Sequence, residues 1–291
     1  MAGEKVEVLE SNPRRLVLFI EGFPLEYVSA LRRISLSEVP TMAVEWVNIY
    51  RNDSAMFNEV LAHRLGLLVL RSEEALERYK QPEECRADLE CSEDDETCID
   101  GFITRNSECF VRMVLNVSHP ENMEETRVVR AADIESEDPD VYPVHKMTEI
   151  THLTPGQSLE IEMFARLGRG KEHAKFIPGL AILKYVPVIT YDSSVITEEC
   201  IDCISNYSKE LAERISQGTG TIVWKDPSNT SLLRDCAVRT CGDGLKVEYS
   251  SDKLILIIET HGGLAPTTII NQAIKELDRK IDRVLDELGG A

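Results

Sequence analysis

LRRISLSEVPTMAVEWVNI, residues 31–49, is the stretch whose reading decides the fold. Leu25, Val28, Leu31 and Ile34 recur at helical spacing, and Pro40 cannot continue a helix, so the segment reads as the end of a helix and a stop. Beyond the stop, Met42, Val44 and Trp46 alternate with Ala43, Glu45 and Val47, the two-residue period of a strand. A helix that carries Arg32 and Arg33 beside an apolar stripe has an interface to fill and two charges to place. Upstream, Val6 and Val8 and then the run Leu16–Ile20 flank Asn12-Pro13, which predicts a hairpin. Gly22 and Pro24 then open the helix, proline being suited to a first helical turn.

The chain has 291 residues, 43% of them hydrophobic, enough for one large domain or two to three smaller ones. A formal net charge of -19 repels phosphate backbones and anionic membranes, so any role with nucleic acid is indirect or local. The longest apolar runs fall short of the roughly 18 to 20 residues that a membrane helix needs. The stretch MAGEKVEVLE has no basic-then-apolar signal pattern, and the expected location is cytoplasmic.

Residues 59–70, EVLAHRLGLLVL, predict a short helix that ends at Gly66 and runs into an apolar strand. His63 in this helix has no partner carboxylate or cysteine at ligand spacing, which makes it a residue of the fold rather than a ligand. Residues 83–100 differ in character. Nine carboxylates (Glu83, Glu84, Asp88, Glu90, Glu93, Asp94, Asp95, Glu96 and Asp100) face a single Arg86, the pattern of an exposed acidic excursion. Cys85, Cys91, Cys98 and Cys109 follow a C-x5-C-x6-C-x10-C spacing, looser than the C-x2-4-C pairs of zinc knuckles. Zinc, disulfides and free thiols all stay open for them.

A strand opens after Cys109, and a polar region follows to about residue 150. SLEIEMFA, residues 158–165, alternates as a strand. In LGRGKEHAKFIPGLAILKY, residues 167–185, Gly168, Gly170 and Lys171 hint at a phosphate loop, but the Gly-Lys-Ser/Thr ending is missing. The basic residues Arg166, just before it, and Arg169, Lys171 and Lys175 within it read instead as a loop that contacts an acidic neighbour. Residues 196–215 read as a helix capped by Thr197, with Cys200 and Cys203 on one face. An iron–sulfur run would place cysteines where Asn206 and Glu210 stand, and proline where Leu211 stands, which counts against a cluster. Cys200, Cys203, Cys236 and Cys241 remain a candidate metal set, for zinc or a degenerate cluster, with disulfide pairing an equal alternative. From Pro266 a helix of about 23 residues, roughly 34 Å long, carries a stripe of Ile270, Ala273 or Ile274, Leu277, Ile281, Val284 or Leu285 and Leu288. One apolar face on so long a helix predicts a partner helix.

LRRISLSEVPTMAVEWVNI, EVLAHRLGLLVL and GRGKEHAKFIPGLAIL, in this order, resemble the D-type subunit of archaeal RNA polymerase, a relative of the third-largest subunit of polymerase II and of the bacterial alpha N-terminal domain. The resemblance extends over essentially the whole chain. It implies an α+β fold: a discontinuous alpha-subunit-type dimerisation domain (residues 1–48, 150–188 and 252–291), an inserted second domain (49–149) and an inserted ferredoxin-like third domain (189–251). It implies a non-catalytic assembly subunit that pairs with subunit L and, with small subunits N and P, forms the platform for the large catalytic subunits. Carried over by position, Leu31, Arg32, Arg33, Ile34, Ile274, Leu277 and Ile281 would form the partner interface. Glu59, His63, Arg64, Gly66, Lys171, Glu172, His173 and Lys175 would support the platform or its contacts with the large subunits. The chain has no HExxH, G-x-S-x-G or Asp-x-Asp-x-Asp motif. The rival reading is a ferredoxin-like electron-transfer or redox-sensing protein.

Overall fold

The computed structural model describes residues 3–86, 90–92, 95–226, 228 and 230–289. In chain order its elements are β1 (Lys5–Ser11), β2 (Arg15–Glu21), α1 (Leu25–Ser37), β3 (Pro40–Asn52), α2 (Asn58–Gly66), α3 (Ala75–Arg78), α4 (Glu96–Arg105), β4 (Phe110–Ser118), β5 (Arg127–Arg130), β6 (Glu135–Ser136), β7 (Glu149–Leu153) and β8 (Ser158–Arg169). There follow β9 (Gly179–Asp192), α5 (Glu198–Tyr207), α6 (Lys209–Ser216), β10 (Thr219–Val223), α7 (Thr230–Arg239), β11 (Leu245–Thr260) and α8 (Pro266–Gly289). The content is α+β. The chain divides into two compact units: Met1–Ser11, Leu16–Arg32 and Ile182–Ile257 make the first, and Asn12–Arg15, Arg33–Ala181 and Ile258–Ala291 the second.

In the first unit a five-stranded sheet runs in the order β1-β2-β11-β9-β10. The predicted hairpin is its edge: β1 and β2 pair antiparallel with Val8 opposite Leu18. Val17, Phe19, Val186, Ile255 and Ile257 close a small apolar core on this sheet. A second core gathers α5, α6 and α7 around Ile204, Leu211, Ile215 and Leu233, with Trp224 at its edge donating to the Tyr207 hydroxyl at 2.9 Å. Thr197 caps α5 as expected, its side chain accepting from the Cys200 N–H. The single helix predicted over 196–215 is broken, because Ser208 leaves the helical conformation and its hydroxyl caps α6 instead.

The metal candidates of this unit come together, but as disulfides: Cys200 pairs with Cys241 and Cys203 with Cys236. A metal needs thiolates, and a disulfide offers none, so Cys200, Cys203, Cys236 and Cys241 do not fit zinc or a cluster in this structure. The electron-transfer rival is left without thiolate ligands for an iron–sulfur centre at these cysteines.

The second unit is built on the four-stranded sheet β3-β8-β4-β6, with the β5-β7 ribbon beside it. Pro40 ends the helix and opens β3 as predicted. The alternation in β3 does not separate an inner from an outer face, however: residues 40–44 are all buried, so both faces are covered there. The apolar run after Gly66 is not a strand; Leu70 makes only an isolated bridge to Pro143. The acidic excursion is more than an exposed loop. Cys85–Cys109 and Cys91–Cys98 staple it, and Ile99, Phe102 and Ile103 of α4 pack with Phe110 against Trp46 and Phe164. Cys85, Cys91, Cys98 and Cys109 are therefore also unavailable to zinc. Asp88, Glu93 and Asp94 of that segment lie outside the described residues, as does the side chain of Glu96.

Candidate functional site

The motif GRGKEHAKF forms the centre of the second unit, and its glycines explain how. A side chain at Gly168 would overlap the Phe176 ring, and one at Gly170 would overlap the Leu36 carbonyl oxygen. Close approach, not phosphate binding, demands glycine here. With β8 drawn this close, the Lys171 N–H donates to the Ser37 carbonyl at 2.9 Å. The motif is thereby tied to the end of α1.

The arginines of this stretch are strand residues and buried, contrary to the loop reading. Arg166, in β8, donates to Glu45 at 2.8 Å and to Glu172 at 3.1 Å, with its side chain only 5% exposed. Glu45 reaches it because the β3–β8 register shifts between Val44 and Trp46, a bulge that re-aims the side chain. Lys175 pairs with the other Glu45 oxygen and donates to the Val44 carbonyl at 3.0 Å. Both cations also lie over the Phe176 ring, at 5.2 Å and 5.1 Å from its centroid. Burial alone would raise the Glu45 carboxyl, but Arg166 and Lys175 outweigh it and hold Glu45 below the usual carboxylate range. The acidic neighbour expected for these cations is thus largely inside the chain.

These residues line a pocket of about 610 Å³ that Trp46, Arg86, Lys171 and His173 complete. Lys171 and His173 are exposed at its rim, and the His173 ring nitrogen accepts from the Lys175 N–H at 3.0 Å. Arg64 is exposed on α2, and its guanidinium donates to the Ile150 carbonyl at 2.6 Å. Glu59 and His63 are exposed on α2, and Gly66 ends it.

The expected interface residues separate into two kinds. Leu31 and Ile34 of α1 are buried within the chain, Arg32 is half-buried and Arg33 exposed. A carboxylate at Leu31 or Ile34 would therefore damage the chain's own core before it reached a partner. On α8, Ile269, Ile270 and Ala273 are buried and Leu277 is half-buried, whereas Ile274 is exposed. From there exposure climbs, from 47% at Ile281 through Val284 and Leu285 to 70% at Leu288. The helix thus buries the first half of its apolar stripe and leaves the second half bare. Glu45, Trp46, Phe176 and Glu276 join the site although the sequence pattern does not single them out for it. For Glu45 and Glu276 the one local signal is a carboxylate inside an otherwise apolar strand or stripe.

Residues 47–179 match the family described as the RNA polymerase Rpb3/RpoA insert domain. Over the whole length, the chain is 42% identical to the DNA-directed RNA polymerase subunit Rpo3 of Aeropyrum pernix, across 96% of this chain and 93% of that protein. The Rpo3 subunits of Methanothermobacter thermautotrophicus and Thermococcus kodakarensis are 34% and 33% identical over 96% and 97% of this chain, covering 97% and 96% of their own lengths. An α+β chain with the insert-domain match and these full-length likenesses belongs to the Rpo3 family of DNA-directed RNA polymerase subunits.

Proposed function

We propose that this chain is a non-catalytic assembly subunit of a cytoplasmic DNA-dependent RNA polymerase, pairing with subunit L to form the platform on which the large catalytic subunits assemble. The observation that carries this is the bare apolar half-stripe of α8. Ile274, Ile281, Val284, Leu285 and Leu288 recur at three, four and seven residues on one face, which is how a helix presents itself to another helix. A contiguous exposed apolar row of this length marks a protein interface in a chain whose net charge is otherwise -19. Arg32 and Arg33 on α1 and Leu277 on α8 are assigned to the same partner.

Lys171, His173 and the pocket they rim, with Arg64 bracing the scaffold below, make a second contact surface, assigned to the large subunits. Small subunits N and P complete the platform. The three-part division at residues 49, 150, 189 and 252 is retained as the order of pieces: a dimerisation domain interrupted by an insert and by a stapled, ferredoxin-like module.

Co-expression with subunit L followed by size-exclusion chromatography tests the reading. A stable one-to-one complex is expected for the wild type. Leu285→Asp, whose side chain is 59% exposed as leucine, should abolish the complex and leave the melting temperature of the isolated chain unchanged. A monomeric wild type in the presence of subunit L would overturn the proposal.

A further inference from the structure

The C-terminal end of α1 has no basic residue in its last turn, although helix C-termini attract cations. Arg169 supplies that charge from β8: its guanidinium donates to the Glu38 carbonyl just beyond the helix. The same guanidinium grips both Glu83 oxygens, at 2.7 Å and 3.2 Å, and lies 3.1 Å from Glu276 Oε1 of α8. Arg169 and Glu276 are 3% and 7% exposed. One buried cation therefore joins four segments: β8, the end of α1, the turn at Pro82–Glu84 and α8. One helical turn further on, Lys280 of α8 pairs with the Glu38 side chain.

Glu276 marks the boundary along α8. Before it Ile269, Ile270 and Ala273 are buried while Ile274 is already exposed, and from Ile281 onward the stripe is bare. The helix from Glu276 to Leu288 extends about 18 Å beyond this anchor, so a tilt of about 10° at the anchor moves its tip by about 3 Å. A shift of that size is enough to misplace knobs against the holes of a facing helix. Glu276 Oε1 also lies 3.2 Å from Arg279, so two guanidinium groups face this one buried carboxylate.

We infer that Arg169 is a positioning residue for partner recognition, holding Glu276 against the end of α1 so that the bare half of α8 leaves the unit in one fixed direction. The inference rests on the reading of α8 as the partner-binding helix. The Gly168 and Gly170 contacts serve it, since they bring β8 close enough to α1 for Arg169 to reach both helices. Glu83 anchors the other side of the guanidinium. Burial alone would push the Glu83 carboxyl up, yet Arg169 outweighs that and holds it below the ordinary range.

The test uses the full chain with spin-labelled non-natural amino acids at exposed Glu160 on β8 and Asp286 on α8, read by electron–electron distance measurement. It is coupled to titration with subunit L. The wild type should give one narrow distance. Glu276→Gln keeps the shape but not the charge; it should broaden or shift the distance by about 3 Å or more. It should also weaken the complex by about tenfold, since pre-organisation is lost, at temperatures well below the lowered melting temperature that loss of a buried pairing brings. Lys280→Glu should act in the same direction. The double variant Lys280→Glu with Glu38→Lys should restore both readouts, which a purely structural loss would not do. If Glu276→Gln fails to fold, Arg169→Lys, which keeps the charge but loses the planar fork that spans Glu83 and Glu276, decides the matter by the same two readouts. An unchanged distance and an affinity within about twofold of wild type, in a chain that does bind subunit L, overturn the role of Arg169 alone. A wild type that does not bind subunit L overturns the assembly reading and this one with it.

Discussion

Replacing Glu45 by alanine removes the carboxylate that Arg166 and Lys175 share. Arg166 sits at 2.8 Å with a side chain 5% exposed, and Glu45 itself is 20% exposed, so the pair is largely desolvated. Breaking a buried pair from one side costs about 3–5 kcal/mol, because the remaining charge keeps its desolvation penalty. Two features reduce that here. Arg166 retains Glu172 at 3.1 Å, and Lys175 retains the Val44 carbonyl at 3.0 Å. The expected loss is therefore about 2–3 kcal/mol, roughly a 30- to 150-fold fall in the folding constant of the second unit. Glu45→Gln keeps an acceptor oxygen and should lose about half as much. The chain's two tryptophans make the assay specific. Trp46 lines the same pocket and Trp224 lies in the first unit. In a Trp224→Phe background, urea unfolding followed by Trp46 fluorescence reports the second unit only. A loss below about 0.5 kcal/mol for Glu45→Ala, in the range of an exposed surface pair, would refute the account of a desolvated charge cluster.

Gly170→Ala places a Cβ on the Leu36 carbonyl, which cannot rotate away, and should destabilise the second unit by about 1–3 kcal/mol in the same assay; a neutral result would mean that the approach of β8 to α1 is looser than described. Replacing both Cys200 and Cys241 by serine opens a loop of 41 residues, whose closure is worth about 3–4 kcal/mol by chain entropy. Because Cys203–Cys236 lies inside that loop and still constrains it, a smaller loss of about 2 kcal/mol is expected, read from Trp224 in a Trp46→Phe background. Glu45 and Glu83 are both held below the usual carboxylate range, so the unfolded chain takes up their protons first as pH falls. Their contribution is complete above the unfolded value of about 4.3 and is lost as pH drops through the folded values. The wild type should accordingly lose stability more steeply than Glu45→Gln below about pH 4.5, and parallel pH profiles would contradict that.

Local pattern was enough for the elements that one chemical rule controls. Asn12-Pro13 makes the hairpin turn, Pro40 stops α1, Thr197 caps α5, and the three- and four-residue spacing after Pro266 writes α8. The three motifs carried the family likeness, because residues that meet in space keep their order along the chain. What the sequence left open depends on neighbours that only the fold brings together, several of them more than a hundred residues away. Arg166 and Arg169 look like loop cations until β3 is laid beside β8 and supplies Glu45, and until α8 brings Glu276 to the end of α1. Gly168 and Gly170 only hint at a phosphate loop that the missing Gly-Lys-Ser/Thr ending argues against, and their real reason shows once Phe176 and Leu36 fill the space where side chains would be. Leu31 and Ile281 are indistinguishable as stripe residues. Only packing separates them, since the chain covers one and leaves the other bare, and periodicity reports that a face is apolar but not which part of it the chain itself will bury.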